Sequence, residues 1–471
     1  MPSDQVPEDE LLPSGQIGRR DFLALLGAGA AALLTDRLRA LEAAVQPGKP
    51  NIIVIVADDL GYADIGVHGC KDIPTPNIDS LATNGVRFTD AHVSCPVCSP
   101  TRAGILTGRY QQRFGHEFNP GPLKVTDVDV GLPVSQVTVA NVLKSAGYAT
   151  GIVGKWHLGA APHFQPQKRG FDEFFGFLDG SHSYLDLKAS MPAPIFRGTE
   201  PVDETDYLTD VFTREAVSFI ERHKSEPFFL YLTYNAVHTP MQATQKYLDR
   251  FPGIAEERRR TYAAMLSAMD DGIGAVLAKL REAGTHDNTM VVFISDNGGP
   301  SFPDRGNASN NLPLRATKGT VYEGGIRVPL LLQWPRRLPG GKTYDNPVIS
   351  LDILPTAAAA ARARLPADLK IDGVNLLPYV RGRRTGQPHD ILFWRFGEPR
   401  AVRKGNWKLV RVPQQPDELY DLASDIGETK NLAAEKPEIV EELGKALAAW
   451  ESELIAPLWG RAGTALAPKA K

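Results

Sequence analysis

Hydrophobic residues along most of this chain come in short, unbroken runs that follow or precede helical patterns. The first run, residues 51–56, reads Asn-Ile-Ile-Val-Ile-Val and is rich in β-branched side chains. A continuous apolar run of this length is typical of a strand that is buried on both faces, as in a parallel sheet. Similar runs at residues 149–153, 227–232 and 290–294 predict further strands of the same kind.

Helical patterns alternate with these strands, and residues 136–146 and 213–223 each read as a helix that leads into a strand. Between residues 262 and 280, apolar side chains recur at steps of three and four, which predicts a helix with one buried face. Those side chains are Tyr262, Leu266, Met269, Ile273, Val276, Leu277 and Leu280. The repeated order of helix and strand predicts an α/β fold with a doubly wound, mostly parallel sheet flanked by helices.

The pattern changes after about residue 370. Four short strand candidates separated by turns lie at residues 391–394, 400–403, 407–411 and 418–420, and a helical pattern covers residues 437–454. They predict a small C-terminal antiparallel sheet with a terminal helix. We therefore divide this part of the chain into a main α/β domain at 45–370, a C-terminal α+β subdomain at 371–456 and a flexible tail at 457–471.

The first 44 residues form a different kind of segment. The pair Arg19-Arg20 precedes a short apolar run that ends at Leu34, and small residues follow around Ala43. This order is typical of a twin-arginine export signal. The run is shorter than the ~20 apolar residues that a membrane-spanning helix needs, so no stable membrane insertion is expected. The sequence therefore predicts a signal peptide at residues 1–44 and export to a bacterial periplasm or outside the cell.

Composition and charge narrow the class of partner. The 471 residues carry 52 Lys+Arg against 55 Asp+Glu, a formal net charge of −3, without a block of like charge. A protein that binds nucleic acid through electrostatics is normally more basic, so we expect no nucleic-acid partner. The three cysteines, Cys70, Cys95 and Cys98, are too few for a disulfide scaffold.

Polar side chains follow three of the predicted strands at the point where each strand ends. They are Asp58 and Asp59, Lys155 and His157, and Asp296 and Asn297. Ligands of doubly wound folds bind beyond the carboxyl ends of the strands, so these side chains are candidates for one site. By itself, a pair such as Asp58-Asp59 is equally compatible with carboxylates that cap a turn.

Cys95 and Cys98 form a C-x-x-C pair, which could be a redox pair, half of a zinc site or two buried, inert thiols. The chain has no second C-x-x-C, so zinc is weakly supported, and nothing around the pair has the pattern of a thioredoxin-like unit.

The residues from Cys98 onward resemble a known signature. They read Cys98-Ser-Pro-Thr-Arg102, followed by Leu106-Thr-Gly-Arg109. This order resembles the C-x-P-x-R signature of the type I sulfatases, formylglycine-dependent enzymes of the alkaline-phosphatase-like superfamily. The resemblance implies that a separate maturation enzyme oxidises Cys98 to formylglycine (3-oxoalanine), whose hydrate is the nucleophile. Thr101 replaces the more frequent serine of the signature and keeps its hydroxyl group.

The same resemblance assigns a metal site and a set of catalytic residues. The implied metal ligands are Asp58, Asp59, Asp296, Asn297 and modified Cys98. All of them offer oxygen, which favours a hard ion, Ca²⁺ or else Mg²⁺, over zinc. The implied catalytic residues are Cys98, Arg102, Lys155, His157, His238 and Lys318. Lys155, His238 and Lys318 would also bind the substrate, and His182 is a further candidate for substrate binding.

The implied reaction transfers sulfate to modified Cys98 and then expels it. His238 or Lys318 would protonate the departing alcohol, and His157 would remove a proton from the remaining hydroxyl so that the aldehyde forms again. With bound Ca²⁺, the pocket would carry net positive charge, which favours small anions. The polar residues Gln111, Arg113, His116 and Glu117 either line this pocket or belong to an ordinary helix surface.

The function expected from the sequence is hydrolysis of a sulfate monoester, with a sulfated carbohydrate as substrate and aryl sulfates as model substrates. A phosphate or phosphonate ester hydrolase of the same superfamily is the first alternative. A non-catalytic glycan-binding protein is the second, but it would be expected to have lost Cys98, Arg102 or a metal carboxylate, and all of them are present.

Overall fold

The computed structural model describes residues 48–121, 130–188, 193–302 and 306–460. The predicted signal peptide and residues 461–471 of the predicted tail lie outside the described residues. From Lys49 onward the chain forms one compact unit. The proposed boundary near residue 370 stays a prediction.

The described residues form sixteen strands: β1 Asn51–Ala57, β2 Val86–Phe88, β3 Ala91–His92, β4 Ala149–Lys155, β5 Glu173–Phe177, β6 Ile195–Arg197, β7 Glu200–Val202, β8 Phe228–Thr233, β9 Thr289–Ser295, β10 Leu330–Gln333, β11 Lys342–Tyr344, β12 Val348–Ile349, β13 Ile391–Arg395, β14 Arg400–Lys404, β15 Trp407–Arg411 and β16 Glu418–Asp421.

The α-helices of the described residues are Pro76–Thr83, Cys98–Thr107, Val139–Ser145, Leu208–His223, Gln245–Leu248, Glu257–Glu282, Glu323–Ile326, Ile353–Ala361, Leu377–Val380 and Pro437–Glu451. Short 3-10 helices cover Gly66–His68, Gln111–Phe114, Pro162–Phe164, Pro166–Lys168, His286–Asn288 and Ser350–Asp352.

The main sheet has ten strands in the order β11-β2-β10-β9-β1-β8-β4-β5-β6-β7. The five strands from β9 to β5 run parallel, and antiparallel pairings lie toward both edges. Every residue of β1 is buried, and its alternate side chains enter two different apolar clusters, with Ile52 in one and Ile53 in the other. The doubly wound, mostly parallel sheet predicted from the sequence is therefore confirmed.

The apolar stripe between residues 262 and 280 lies on the long helix Glu257–Glu282, and all seven of its side chains are buried. They belong to the cluster that covers one face of the sheet. The helix ends just before Gly284, whose φ of 68° is the left-handed conformation that glycine adopts readily after a helix.

Several element boundaries differ from the predicted ones. The helix predicted at residues 136–146 begins at Val139, because Thr138 and Asn141 form a capping box before it. Strand β4 continues to Lys155 because its parallel pairing with β5 extends to Phe177. The helix predicted from residue 213 begins earlier, at Leu208, and the terminal helix ends at Glu451 rather than at residue 454.

The C-terminal sheet contains β13, β14, β15 and β16, all antiparallel, as predicted. It packs against the main sheet's domain through buried polar contacts as well as apolar ones. Trp394 donates a hydrogen bond to the carbonyl oxygen of Val93 at 2.7 Å. Arg403 forms a bidentate ion pair with Asp90, and both of its N–O distances are 2.7 Å.

Residues 457–460, which the sequence assigns to the flexible tail, include a fully buried side chain. Trp459 packs edge-on against His116 with ring centroids 4.7 Å apart and donates a hydrogen bond to the carbonyl oxygen of Phe118 at 3.1 Å. The tail prediction is therefore wrong for this stretch, because a large aromatic side chain anchors it.

Among the described residues, none of the helices has the length and apolar character to cross a membrane.

Candidate active site

The carboxyl ends of four parallel strands meet at one edge of the main sheet. Strands β8, β1 and β9 are neighbours there, and β4 lies beside β8. Polar residues follow or end each of these strands: Asp58 and Asp59 after β1, Lys155 at the end of β4, His157 beyond it, His238 after β8, and Asp296 and Asn297 after β9. The structure thus brings together the strand ends whose polar residues the sequence offers as candidates for one site.

Asp58 and Asp59 are adjacent in the chain but face the same pocket. Successive side chains of an extended strand point to opposite faces. Asp59, however, has a φ of 62°, a left-handed conformation that aspartate adopts more readily than most residues. The chain turns at this position, and both carboxylates lie in the pocket, 0% and 2% exposed.

Cys98 is the first residue of the buried helix Cys98–Thr107, which is made mostly of small side chains. Its Sγ lies 3.2 Å from Nζ of Lys318 and 3.5 Å from Oδ1 of Asp58. Burial raises the pKa of the Cys98 thiol to about 12, and the negative charge of Asp296 adds to that rise. The unmodified thiol is therefore protonated at neutral pH and is a poor nucleophile.

Arg102 lies one helical turn after Cys98 and is fully buried. Its Nε and Nη2 donate hydrogen bonds to Oδ2 of Asp296 at 3.0 and 2.8 Å. Its Nη1 donates to the carbonyl oxygen of Lys155 at 3.2 Å. Arg102 therefore joins the helix of Cys98 to the ends of β4 and β9.

Two lysines pair with the carboxylates that follow β1. Nζ of Lys155 lies 2.6 Å from Oδ2 of Asp58, and Nζ of Lys318 lies 2.5 Å from Oδ1 of Asp59. With the Arg102–Asp296 pair, the pocket contains three carboxylates and three basic side chains. Their formal charges cancel, so a divalent cation would make the pocket positive overall.

The buried charges shift one another's pKa values. Burial opposes ionisation of Asp58, but the nearby cations, with Lys155 the strongest, hold the pKa of Asp58 below its usual range. Burial raises the pKa of Asp296 to about 6, and the charge on Asp58 adds to the rise. Burial also opposes protonation of Lys318, but Asp59 outweighs this effect and raises its pKa well above the usual value.

The donor set fits a hard divalent cation. Ligand atoms of Asp58, Asp59, Cys98 and His238 all lie within 4.8 Å of one another. Asn297 donates from Nδ2 to Oδ1 of Asp59 at 2.6 Å, while its own Oδ1 is buried without a hydrogen-bond partner. A cation beside the carboxylates would satisfy this oxygen. The oxygens of Asp58, Asp59, Asp296 and Asn297 are of the kind that Ca²⁺ and Mg²⁺ prefer.

The two histidines at the strand ends are held in different ways. His157 lies beyond Lys155 and has a φ of 59°, so the chain does not stay extended there. Its Nδ1 is buried without a partner, and burial, with the positive charge of Lys155, lowers its pKa well below 6.5. His238 lies with Nε2 3.5 Å from Oδ2 of Asp59, and burial lowers its pKa too.

His182, which the sequence offers as a substrate contact, is held by the backbone. Its Nδ1 lies 2.7 Å from the carbonyl oxygen of Ser183, and its Nε2 lies 2.9 Å from that of Ala193. Both ring nitrogens are thus engaged within the loop, and the side chain is 5% exposed. This geometry favours a loop-fastening role for His182 over direct contact with substrate.

The polar residues after the Cys98 helix do not line the pocket. Gln111 donates to the carbonyl oxygen of Ser94, and His116 lies 2.6 Å from Oγ of Ser99. Arg113 and Glu117 pair with Asp372 and Arg395, respectively, which lie beyond residue 370. These contacts favour a structural role over pocket lining, because they support the helix of Cys98 and join it to residues beyond 370.

Asn307 supports the site and was missed in the sequence. Its Nδ2 donates hydrogen bonds to the carbonyl oxygens of Asp59 and Val237 at 3.1 and 2.9 Å. It thereby ties the turn after β1 to the turn after β8. Asn307 stands in a run of small polar residues without periodicity, so the sequence carries no signal that would single it out.

Comparisons with known proteins agree with this arrangement. A sequence family described as Sulfatase matches residues 50–363, and a second, described as N-sulphoglucosamine sulphohydrolase, C-terminal, matches residues 316–453. The second match thus includes Lys318 together with the C-terminal sheet.

Relatives with assigned names and solved structures are similar over most of the chain. The N-acetylgalactosamine-6-sulfatase of Sus scrofa is 34% identical over 77% of this chain and 72% of its own. Arylsulfatase A of Homo sapiens is 34% identical over 84% of this chain and 86% of its own. The crystal structure of Ps i-CgsB in complex with k-i-k-neocarrahexaose is 38% identical, covers 88% of this chain and 95% of that one, and has a TM-score of 0.82.

Proposed function

Because the chain belongs to the sulfatase family and is a sulfuric ester hydrolase, we propose that its substrate is a sulfated carbohydrate and that Cys98 acts as formylglycine. The observation that carries the proposal is the position of Cys98. Its Sγ lies between Nζ of Lys318 and a carboxylate oxygen of Asp58, at the start of a buried helix. A group attached to this side chain would sit among the charges that the pocket concentrates.

We assign a Ca²⁺ ion to the oxygens of Asp58, Asp59, Asp296 and Asn297, with Mg²⁺ as the other hard ion that fits. When bound, the ion would polarise sulfate oxygen and stabilise negative charge that develops there. Formylglycine at residue 98 would supply a hydrated aldehyde as nucleophile in place of the protonated thiol.

The remaining roles follow from where the side chains lie. Arg102 holds Asp296 and orients the end of β9 against the helix of Cys98. Lys155 and Lys318 bring positive charge to the pocket and would bind sulfate oxygens. His238, beside Asp59, and Lys318, beside Cys98, are the candidate proton donors to the leaving alcohol. His157, with a lowered pKa and an unpartnered nitrogen, is suited to accept a proton.

Two findings support a carbohydrate substrate. The relatives named above include an N-acetylgalactosamine-6-sulfatase, and the related structure of Ps i-CgsB holds a neocarrahexaose. The phosphonate monoester hydrolase of Agrobacterium radiobacter, at 20% identity and a TM-score of 0.63, shares the fold only. We also propose that residues 1–44 direct export, since their order of charged, apolar and small residues is that of a twin-arginine signal.

The decisive experiment combines mass spectrometry with a substrate comparison. The protein is produced with and without a formylglycine-generating enzyme, and the peptide that spans residue 98 is analysed in both preparations. We expect the sulfur at residue 98 to be replaced by oxygen only in the protein made with the formylglycine-generating enzyme. Only that preparation should hydrolyse an aryl sulfate, and a sulfated oligosaccharide should be its better substrate. Equal turnover by protein with an intact thiol would refute the role of Cys98. Preference for an aryl phosphate would refute the proposed substrate.

A further inference from the structure

The segment that carries Lys318 is attached to the C-terminal sheet at both of its ends. We define the Lys318 segment as residues 315–323, from Arg315 to Glu323. It lies between β9 and β10, so it belongs by chain order to the main sheet. Its anchoring side chains nevertheless meet partners on or beside β15 and β16.

Arg315, at the first end, and Tyr322, near the second end, both contact side chains of β16. Nη1 of Arg315 donates to the hydroxyl of Tyr420 at 2.6 Å and to the carbonyl oxygen of Glu428 at 3.0 Å. The hydroxyl of Tyr322 donates to Oε2 of Glu418 at 2.7 Å, and the guanidinium of Arg315 lies over the ring of Tyr322.

At the second end, Glu323 is buried against Lys408 of β15. Nζ of Lys408 lies 2.8 Å from Oε1 of Glu323 and 2.8 Å from Oε1 of Glu428. The backbone N–H of Glu323 donates to Oε2 of Glu428 at 2.7 Å. The side chains of Lys408, Glu323 and Glu428 are all fully excluded from solvent. Buried charges of this kind are strongly destabilising when one partner is removed.

The same cluster has the spacing of a metal site but is closed by its own cations. Asp90, His92 and Glu323 bring ligand atoms within 4.8 Å of one another. Arg403 and Arg327 contact Asp90, while Arg327 and Lys408 contact Glu323. Positive side chains thus take the places at these carboxylates that a cation would need. The cluster joins the two sheets and leaves no free donor set.

Between its ends, the Lys318 segment also contacts the main part of the site directly, since the N–H of Lys318 donates to the carbonyl oxygen of Gly299. Gly319 has a φ of 83°, and Gly324 packs so closely that an added Cβ would lie 2.4 Å from the carbonyl oxygen of Ala316. The N–H of Gly319 donates to the carbonyl oxygen of Pro96, beside the helix of Cys98. The ammonium of Lys318, 2.5 Å from Asp59 and 3.2 Å from Cys98, is therefore placed by these contacts together with those at the two ends.

We infer that the C-terminal sheet is part of the active-site architecture. Through Glu418, Lys408 and Glu428 it fixes the Lys318 segment and so places the ammonium of Lys318 beside Asp59 and Cys98. These three are positioning residues, since they act on the reaction through Lys318. The effect on the reaction rests on the role proposed for Lys318, whereas the anchoring itself does not. A displacement of about 1 Å in a catalytic group can cost roughly a hundredfold in rate.

Two variants remove different anchors of the Lys318 segment. Lys408→Met removes the cation between Glu323 and Glu428, and Glu418→Ala removes the acceptor for Tyr322. Glu418 is partly exposed, so the second variant tests the inference even where the first does not fold. The matched control is Lys404→Met, on β14, which removes an ion pair between the same sheet and Glu442 of the terminal helix.

The first readout is hydrogen–deuterium exchange of peptides that cover residues 315–323, measured on the folded full-length protein. We expect the amides of this segment to exchange roughly tenfold faster in Lys408→Met or Glu418→Ala and at the native rate in Lys404→Met. Native protection in both test variants would overturn the inference. Because this comparison needs no turnover, a failure of the proposed function would not be mistaken for a failure of the anchoring.

The second readout is a double-mutant cycle on aryl sulfate hydrolysis. In the native background, we expect each test variant to lower kcat/KM between about tenfold and a hundredfold. In a Lys318→Met background, the same change should lower the remaining kcat/KM less than about threefold, since its effect passes through Lys318. Equal losses in both backgrounds would show general destabilisation and would overturn the positioning role.

Discussion

Arg102 donates two hydrogen bonds to a single oxygen of Asp296, Oδ2, at 3.0 and 2.8 Å. The other oxygen, Oδ1, accepts a hydrogen bond from the backbone N–H of Asp59 at 3.2 Å. One carboxylate thus connects the helix of Cys98 with the turn after β1. Both side chains are fully buried, so water could not solvate either charge if the other side chain were removed.

Arg102→Met should therefore lower stability as well as activity. The substitution leaves Asp296 buried without its ion-pair partner, a change that costs about 3–5 kcal/mol. Urea denaturation of the full chain measures the free energy of unfolding. The matched control is Arg214→Met, which breaks exposed pairs with Glu204 and Asp206 and should cost about 1 kcal/mol or less. Similar losses in the two variants would contradict the structural weight given to Arg102.

Removal of the divalent ion should abolish activity and lower thermal stability. Without a cation, Asp58, Asp59 and Asp296 face one another in a buried pocket, and a ligand that binds only the folded chain stabilises it. We expect dialysis against a chelator to lower the midpoint of thermal unfolding and Ca²⁺ to restore it. Asn297→Ala should lower the apparent affinity for Ca²⁺ about 10–100-fold, which is the usual loss when a residue that supports a metal site is removed. Indifference of both midpoint and activity to chelator would remove the metal assignment.

His157 and His182 should differ sharply in their effect on turnover. His157 has an unpartnered nitrogen near the pocket, whereas both ring nitrogens of His182 face backbone carbonyl oxygens. We expect His157→Ala to lower kcat by roughly 10²–10⁴-fold, the usual contribution of a general acid or base. His182→Ala should change kcat by less than about tenfold and should instead loosen the loop around Ala193. A marked rise in KM for His182→Ala would instead support a role in substrate binding.

Residues 457–460 should contribute to the stability of the fold, because Trp459 among them is fully buried. Truncation after residue 456 removes Trp459 from its site against His116 and Phe118, and loss of a buried aromatic side chain costs about 3–5 kcal/mol. Truncation after residue 460 keeps Trp459, so this protein should be more stable than the one truncated after residue 456 by about the same amount. Equal stability of the two truncated proteins would contradict the anchoring of this stretch.

His389 gives the fold a stability that depends on pH. Its Nε2 lies 2.8 Å from Oδ1 of Asp352, and although burial opposes its protonation, Asp352 raises the pKa of His389 above 6.5. The ion pair therefore contributes fully below about pH 6.5, the unfolded value, and its contribution is lost as pH rises through the folded pKa. His389→Gln should be most destabilising near pH 6 and progressively less so at higher pH. Denaturation curves across this range would show a constant difference if the pair were unimportant.

Much of the fold and of the candidate site could be predicted from local patterns. Apolar runs located the central strands, and the rule that parallel strands present ligands at their carboxyl ends placed Asp58 and Asp296 at the same edge. The position of Lys318 could not be predicted from such local patterns, because the segment around it has no hydrophobic periodicity. We infer that its position depends on Lys408 and Glu428, which lie roughly a hundred residues later in the chain.

The contacts that the sequence does not indicate have a common physical origin. His182 and His116 are polar side chains whose neighbours are backbone atoms or rings supplied by distant parts of the fold. No sequence period reports such contacts. Trp459 shows the same difficulty, since a single aromatic residue near the end of a polar stretch gives no sign of the cavity that receives it.

The burial of Cys98 has a consequence for the oxidation that we propose at this residue. Its side chain is 1% exposed and is enclosed by Lys318, Asp58 and the helix that it begins. A separate enzyme that must bind the residues around Cys98 could not reach the sulfur once the pocket has formed. Oxidation would then have to come first, on a nascent or still open polypeptide. The proposed export through residues 1–44 would then follow the proposed oxidation.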